Sequence, residues 1–169
     1  IICVFFSFPL VDAFLWLLFI DLLLPSLVSF FVFLLLFPIE IYDDWRAEKA
    51  LKKIRNHHDL LVIGVTGSVG KSQAKDFIAY ILSKKFAVIK TDGKQNTVSG
   101  ISQTILQKLE KDTEIFVAEM SAYHQGEIAA LCQFIRPKIG VLTAINSYYV
   151  PLFKNLENIR KTNYELVES

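Results

Sequence analysis

Apolar residues run from position 14 to 37 with a single charge, Asp21, among 24 residues. A helix needs about 20 apolar residues to cross a bilayer, so this pattern predicts a membrane span. Residues 1–11 are apolar too, and Pro9 with Asp12 predicts a break, which would make the start of the chain the tail of an earlier span. Asp21 and Pro25 lie within the run and are expected to make a helix contact and a kink rather than a functional polar site. A cleaved secretory leader does not fit, because the run is too long and lacks a basic start and small residues at a cleavage point.

Beyond position 40 the pattern changes. Ala47, Ala50, Leu51 and Ile54 recur at helical spacing among Arg46, Lys49, Lys52, Lys53 and Arg55, which predicts a basic amphipathic helix over residues 40–58. Such a helix lies on anionic headgroups or packs on the domain that follows; the sequence leaves both open. His57 and His58 have no ligand partner at metal spacing and read as linker residues.

Short β-branched runs then alternate with helical faces. Residues 60–66 (LLVIGVT) read as a buried parallel strand, and 87–90 (AVIK), 115–119 (IFVAE) and 139–145 (IGVLTAI) as three further strands. Between them, helical faces are expected from Ala74, Phe77, Ile78, Ile81 and Leu82, from Ile101, Ile105 and Leu109, and from Ile128, Leu131, Cys132 and Ile135. The alternation predicts an α/β fold, doubly wound about a mostly parallel sheet, with ligands at the carboxyl ends of the strands. The expected organisation is a membrane segment at 1–39, a linker helix at 40–58 and an α/β domain at 59–169, truncated at its C-terminus.

Composition sharpens this division. The 169 residues are 53% hydrophobic, yet positions 1–39 hold only Asp12 and Asp21 as charges, while the remainder carries all eighteen bases and fifteen acids, net +3. Neither balance nor clustering suggests a nucleic-acid partner. The bases at 46–55 place their flank, and the domain after it, on the cytoplasmic side of the cytoplasmic membrane, with membrane lipid as a partner. The two cysteines, Cys3 and Cys132, offer neither a disulfide framework nor a metal pair.

The candidate chemistry follows the first strand. Gly67, Ser68, Val69, Gly70, Lys71 and Ser72 lie between a strand and a helix, the context that a phosphate cradle requires. Glycines let the backbone curl its N–H groups inward, Lys71 is placed to reach the β- and γ-phosphates of ATP, and the Ser72 hydroxyl is placed to ligate Mg²⁺. The spacing departs from GxxxxGK[ST], since Val65 stands where the first glycine belongs. Glu119, at the end of a strand in the same sheet, is a second candidate Mg²⁺ ligand. Asn96 and Thr97, after the second strand, are substrate-facing or turn-forming. No Ser-His-Asp or Cys-His set and no local carboxylate pair supports nucleophilic hydrolysis.

The runs VIGVTGSVGKSQAKDFIAYILS, NTVSGISQTIL, VAEMSAYHQGEIAALCQFIRPKIGVLTAIN and LFKNLENIRKTNYEL resemble the central domain of the Mur ligases, and most closely the branch that adds D-alanyl-D-alanine in peptidoglycan synthesis. The likeness covers residues 60–168, and the off-register TGxxGK[ST] loop is the family's own form. It implies an ATP-dependent amide ligase that phosphorylates a carboxylate of a UDP-MurNAc-peptide and lets the amine of an amino acid or dipeptide displace phosphate from the acyl phosphate. It also implies that Gly67, Gly70, Lys71 and Ser72 hold ATP, that Glu119 holds magnesium and that Asn96 faces the substrate. Complete family members have an N-terminal substrate domain and a C-terminal domain that closes over ATP. Here a membrane segment is expected in place of the first, and the second is missing from residues 1–169. Two positions depart from the family: Tyr149 stands where a histidine holds a second Mg²⁺, and Asn163 where a lysine, often carbamylated, does the same. The intact loop favours a ligase; the two replacements favour a membrane-tethered ATP-binding module without catalysis.

Overall fold

The computed structural model describes the backbone of residues 2–93 and 95–169, and the side chains of these except 2–10 and 38. The chain divides into two units, one ending at Asp44 and one formed by Trp45–Ser169.

In the first unit the described backbone is helical, as part of helix α1 (Ile2–Arg55). The break expected at Pro9 and Asp12 does not form, and the helix also continues through Pro25. A proline deletes one backbone hydrogen bond, but strong helix formers on both sides can carry the helix past it. Every side chain from Val11 to Phe37 is exposed, and the described part of α1 is long and apolar enough to cross a membrane, with a mean hydropathy of 2.5 in its most apolar window.

In the second unit the residues of α1 from Trp45 onward join the domain. Ala50 and Ile54 are buried in its core beside Leu60, Ile105 and Leu109. Lys53 Nζ donates to the carbonyls of Ile105 and Leu106, both at 3.0 Å. A cation is well placed there, since these carbonyls lie near the end of a helix. This stretch therefore packs on the domain, one of the two placements that its sequence left open.

Four strands follow: β1 (Leu61–Thr66), β2 (Val88–Lys90), β3 (Ile115–Glu119) and β4 (Ile139–Leu142). All pair in parallel, in the order β2-β3-β1-β4. Helices α2 (Lys71–Leu82), α3 (Val98–Lys108) and α4 (Glu127–Ile135) connect them, and α5 (Val150–Phe153) and α6 (Leu156–Glu168) follow β4. Right-handed crossovers determine the layers. The chain moves across the sheet one way from β1 to β2 and back from β2 to β3, so α2 covers one face and α3 and α4 the other.

The strands alternate accordingly. Val62, Phe116 and Ala118 pack with Ile101, Ile105, Ile128 and Leu131 on one side, while Ile63, Val65, Ile115 and Val117 meet Ala79 on the other. Fully burying each of the Val, Leu, Ile and Phe side chains among them stabilises the fold by about 1.5–3 kcal/mol. The expected face of α2 is corrected in part. Ala74, Ile78 and Leu82 pack toward the sheet, but Phe77 and Ile81 are 67% and 66% exposed, and Lys75 and Ala79 are buried instead. The apolar stripe of this helix is wider than the strip that one sheet face can cover.

Candidate functional site

Neighbouring strands β1 and β3 send their following helices, α2 and α4, to opposite faces of the sheet. Their carboxyl ends therefore flank an open crevice, the place where doubly wound sheets hold ligands. Val65 pairs with Glu119 in this register, so the loop after β1 and the acid that ends β3 face the same crevice. A cavity of about 480 Å³ lies there.

The loop after β1 is shaped by its glycines. Gly67 has φ +138°, and a Cβ on it would stand 2.0 Å from Thr143 Oγ1, whose hydroxyl donates to the Thr66 carbonyl. Gly70, at φ 86°, is the N-cap of α2 and has no side chain to occupy the free N–H groups of the first turn. Gly67, Ser68, Gly70, Lys71 and Ser72 all line the cavity. Val69 does not: its side chain is 49% exposed, and it bridges Ala144. Ser68 Oγ is buried and has no hydrogen-bond partner among the described residues, a rare condition for a buried hydroxyl unless a ligand completes it.

Lys71 Nζ donates to the Gly67 carbonyl at 2.7 Å and lies 5.8 Å from the centroid of the Tyr149 ring. Burial pushes its ammonium below the ordinary lysine range, and the nearby Glu119 carboxylate partly offsets this.

Glu119 is 4% exposed at the end of β3, with its backbone N–H bonded to Thr91 Oγ1. Its Oε2 accepts a hydrogen bond from Lys75 Nζ at 3.2 Å, and both side chains are nearly fully buried. Sequence reasoning overlooked Lys75, because helical spacing placed the buried face of α2 one residue away. The available signal was its position one turn after Lys71, which puts the two ammonium groups on the same side of the helix.

Asn96 and Thr97 also line the cavity. Asn96 Nδ2 donates to Ser121 Oγ at 3.0 Å, and the Ser121 N–H returns to the Asn96 carbonyl, which ties the segment before α3 to the loop after β3. Thr97 caps α3 through the Gly100 N–H, so it also has the turn-forming role open to it from sequence. Tyr149 and Asn163 reach the same cavity. Asn163 Oδ1 accepts from Thr66 Oγ1 at 3.0 Å and its Nδ2 donates to the Ile159 carbonyl at 2.8 Å, so the amide is held at both ends. Glu165, also unforeseen, lies in α6 and accepts from the Gly126 and Ala129 N–H groups, capping α4 from another element.

Among the described residues no three His, Cys, Asp or Glu side chains cluster as a metal site. The donors nonetheless suit a phosphate-bound Mg²⁺, which takes most of its ligands from phosphate and water and only one or two from protein. Ser72 and Glu119 would hold the ion. The unpartnered Ser68 hydroxyl, the open helix start and Lys71 would meet a phosphate chain.

Fold and site define a doubly wound parallel α/β domain in which a glycine loop and a buried carboxylate converge at the switch point. The chain belongs to the Mur ligase family: the Mur ligase middle domain model matches residues 65–169. It is 34% identical over 110 residues to the UDP-N-acetylmuramoyl-tripeptide--D-alanyl-D-alanine ligase of Mycobacterium tuberculosis (strain H37Rv), covering 65% of this chain and 21% of that protein. With the ligase of the same name from Bacillus subtilis (strain 168) it shares 36% over 106 residues, 63% of this chain and 23% of the relative. Of solved structures, MurF from Thermotoga maritima in complex with ADP superposes with a TM-score of 0.68 at 36% identity, over 74% of this chain and 29% of that one. A MurF from Acinetobacter baumannii gives 0.69 at 26% identity, over 73% and 27%. The chain thus spans about a fifth to a quarter of the curated relatives it matches.

Proposed function

We propose that this chain carries the ATP-binding centre of a membrane-anchored Mur-type amide ligase acting on peptidoglycan precursors on the cytoplasmic side. The observation that carries the reading is the convergence of residues 67–72 and buried Glu119 on one cavity at the switch point of a parallel sheet. Relatives named for joining UDP-N-acetylmuramoyl-tripeptide to D-alanyl-D-alanine, and a neighbour solved with ADP, support the substrates: ATP, a UDP-MurNAc-peptide and a D-alanyl-D-alanine-like amine.

In this reading Lys71 leaves the Gly67 carbonyl for the β- and γ-phosphates, and its charge offsets the negative charge of the transferring phosphoryl group. The Ser68 hydroxyl and the first-turn N–H groups of α2 donate to phosphate oxygens. Ser72 and Glu119 would hold the Mg²⁺, which would neutralise phosphate charge. Asn96 and Thr97, which line the same cavity, face the acceptor whose carboxylate becomes the acyl phosphate. The apolar part of α1 anchors the domain beside membrane lipid, and the bases at 46–55 orient it toward the cytoplasm.

A second reading, an ATP-binding module without ligase turnover, is favoured by Tyr149 and Asn163. The ring of one stands beside Lys71 and the amide of the other is held by Thr66 and Ile159, so neither offers a ready ligand for a second Mg²⁺. Phosphate release measured against Mg²⁺ concentration, with and without a muramyl-peptide acceptor, separates the two. A ligase gives acceptor-dependent release, and the double change Tyr149→His with Asn163→Lys lowers its Mg²⁺ requirement by roughly tenfold to a hundredfold, on the scale of metal-shell losses. Flat, acceptor-independent curves in parent and double variant leave only the module.

A further inference from the structure

Lys75 has no part in the mechanism above, yet it is 2% exposed and forms a buried ion pair with Glu119. Hydrophobic residues of similar size often replace buried pairs without loss of stability, so retention of this one invites a functional explanation. The pair involves the carboxylate assigned to Mg²⁺. Ser72, Lys75 and Glu119 also line a second cavity of about 440 Å³ on the side of Glu119 toward Lys90 and Asp76. There Asp76 accepts from Lys90 at 2.7 Å and lies 3.9 Å from Lys75 Nζ, so Lys75 is held between two acids. Glu119 is thus a wall between two cavities, with a fixed ammonium on one side and the nucleotide cavity on the other.

We propose that Lys75 is a positioning residue that acts as a built-in counter-cation for Glu119, so that a divalent ion does not settle on the free site and enters together with ATP. The inference rests on the functional reading above. An ammonium 3.2 Å from Oε2 competes with any cation approaching that carboxylate. At the effective dielectric of a protein interior, one unit charge at this range is ample to weaken metal binding by a factor of ten or more. ATP reverses the balance, since its phosphates supply both negative charge and additional metal ligands. Lys71, one turn earlier, bonds the Gly67 carbonyl and is free to turn to the nucleotide, whereas Lys75 stays beneath Glu119.

The test is direct binding of Mn²⁺ to the full chain without nucleotide, read by electron paramagnetic resonance of the free ion, alongside calorimetric titration with Mg·ATP. Lys75→Met is expected to bind Mn²⁺ about tenfold or more tightly than the parent. Lys75→Gln, which keeps a hydrogen-bond donor to Glu119 and so protects the fold, is expected to change in the same direction. Lys75→Arg keeps the charge and the parent's weak affinity, and adding Glu119→Gln to Lys75→Met abolishes the gain. A lysine with a merely structural role gives no gain in metal affinity on removal. Equal or weaker Mn²⁺ binding by both neutral variants, in a parent that binds Mg·ATP, overturns the inference alone. A parent that does not bind Mg·ATP overturns the functional reading, and the inference with it.

Discussion

Gly67 and Gly70 flank the loop and tolerate a side chain differently. Both have positive φ, but only Gly67 faces an immediate obstacle, Thr143, while nothing lies within 4 Å of a Cβ at Gly70. Gly70→Ala should therefore cost about 1–2 kcal/mol of backbone strain, and Gly67→Ala more, by displacing Thr143 as well; thermal unfolding in detergent will rank them. Glu127 gives a pH signature. Burial raises its pKa, but the backbone N–H groups of Tyr123 and His124 and the His124 ring outweigh this and hold the carboxyl below its ordinary range. Because the folded value lies below the unfolded one, the stabilisation is complete above the unfolded value and is lost as pH falls through the folded one. Glu127→Gln should flatten that acid limb of the unfolding profile while leaving the neutral plateau lower. These roles differ in how readily the sequence reveals them. The loop was legible because strand, glycines and helix are local signals, whereas Lys75 and Glu165 act on partners 44 and 36–39 residues away, which no local spacing encodes.

Elements hold the site through each other. Helix α4 has Gly126 as its N-cap, with no side chain to cap it, and Glu165 of α6 supplies the acceptor instead. Glu165→Ala should cost about 0.5–2 kcal/mol, the range for a lost cap, and loosen the segment around Tyr123 that lines the cavity; hydrogen exchange at Gly126 and Ala129 reports it. On α2, Phe77→Ser and Ile81→Ser should change stability by no more than about 0.5 kcal/mol, because both side chains are exposed, whereas Phe116→Ala in β3 should cost about 3–5 kcal/mol. Hydrophobic periodicity located α2 but misplaced its face: an apolar stripe fixes a helix's existence better than its rotation when apolar residues exceed the area available to bury them. The strand pattern was more faithful, since four β-branched runs became four parallel strands.

At the scale of the whole molecule, sheet order turns a sequence motif into a site. Alternation of strands and helices predicted a doubly wound sheet, but only the order β2-β3-β1-β4 places the end of β1 beside the end of β3 and makes Glu119 the partner of residues 67–72. For the proposed membrane segment, a reporter fused after His58 should be active in the cytoplasm and silent outside it if the bases at 46–55 set orientation; the reverse pattern contradicts that topology. The central claim is that this sheet end binds Mg·ATP, and calorimetric titration of the full chain with Mg·ATP, beside Lys71→Ala, tests it most directly. The parent should bind, and loss of one charge-assisted contact worth about 1.5–3 kcal/mol should weaken the variant by roughly tenfold to a hundredfold. Equal affinity in both, or no binding by the parent, would contradict the claim.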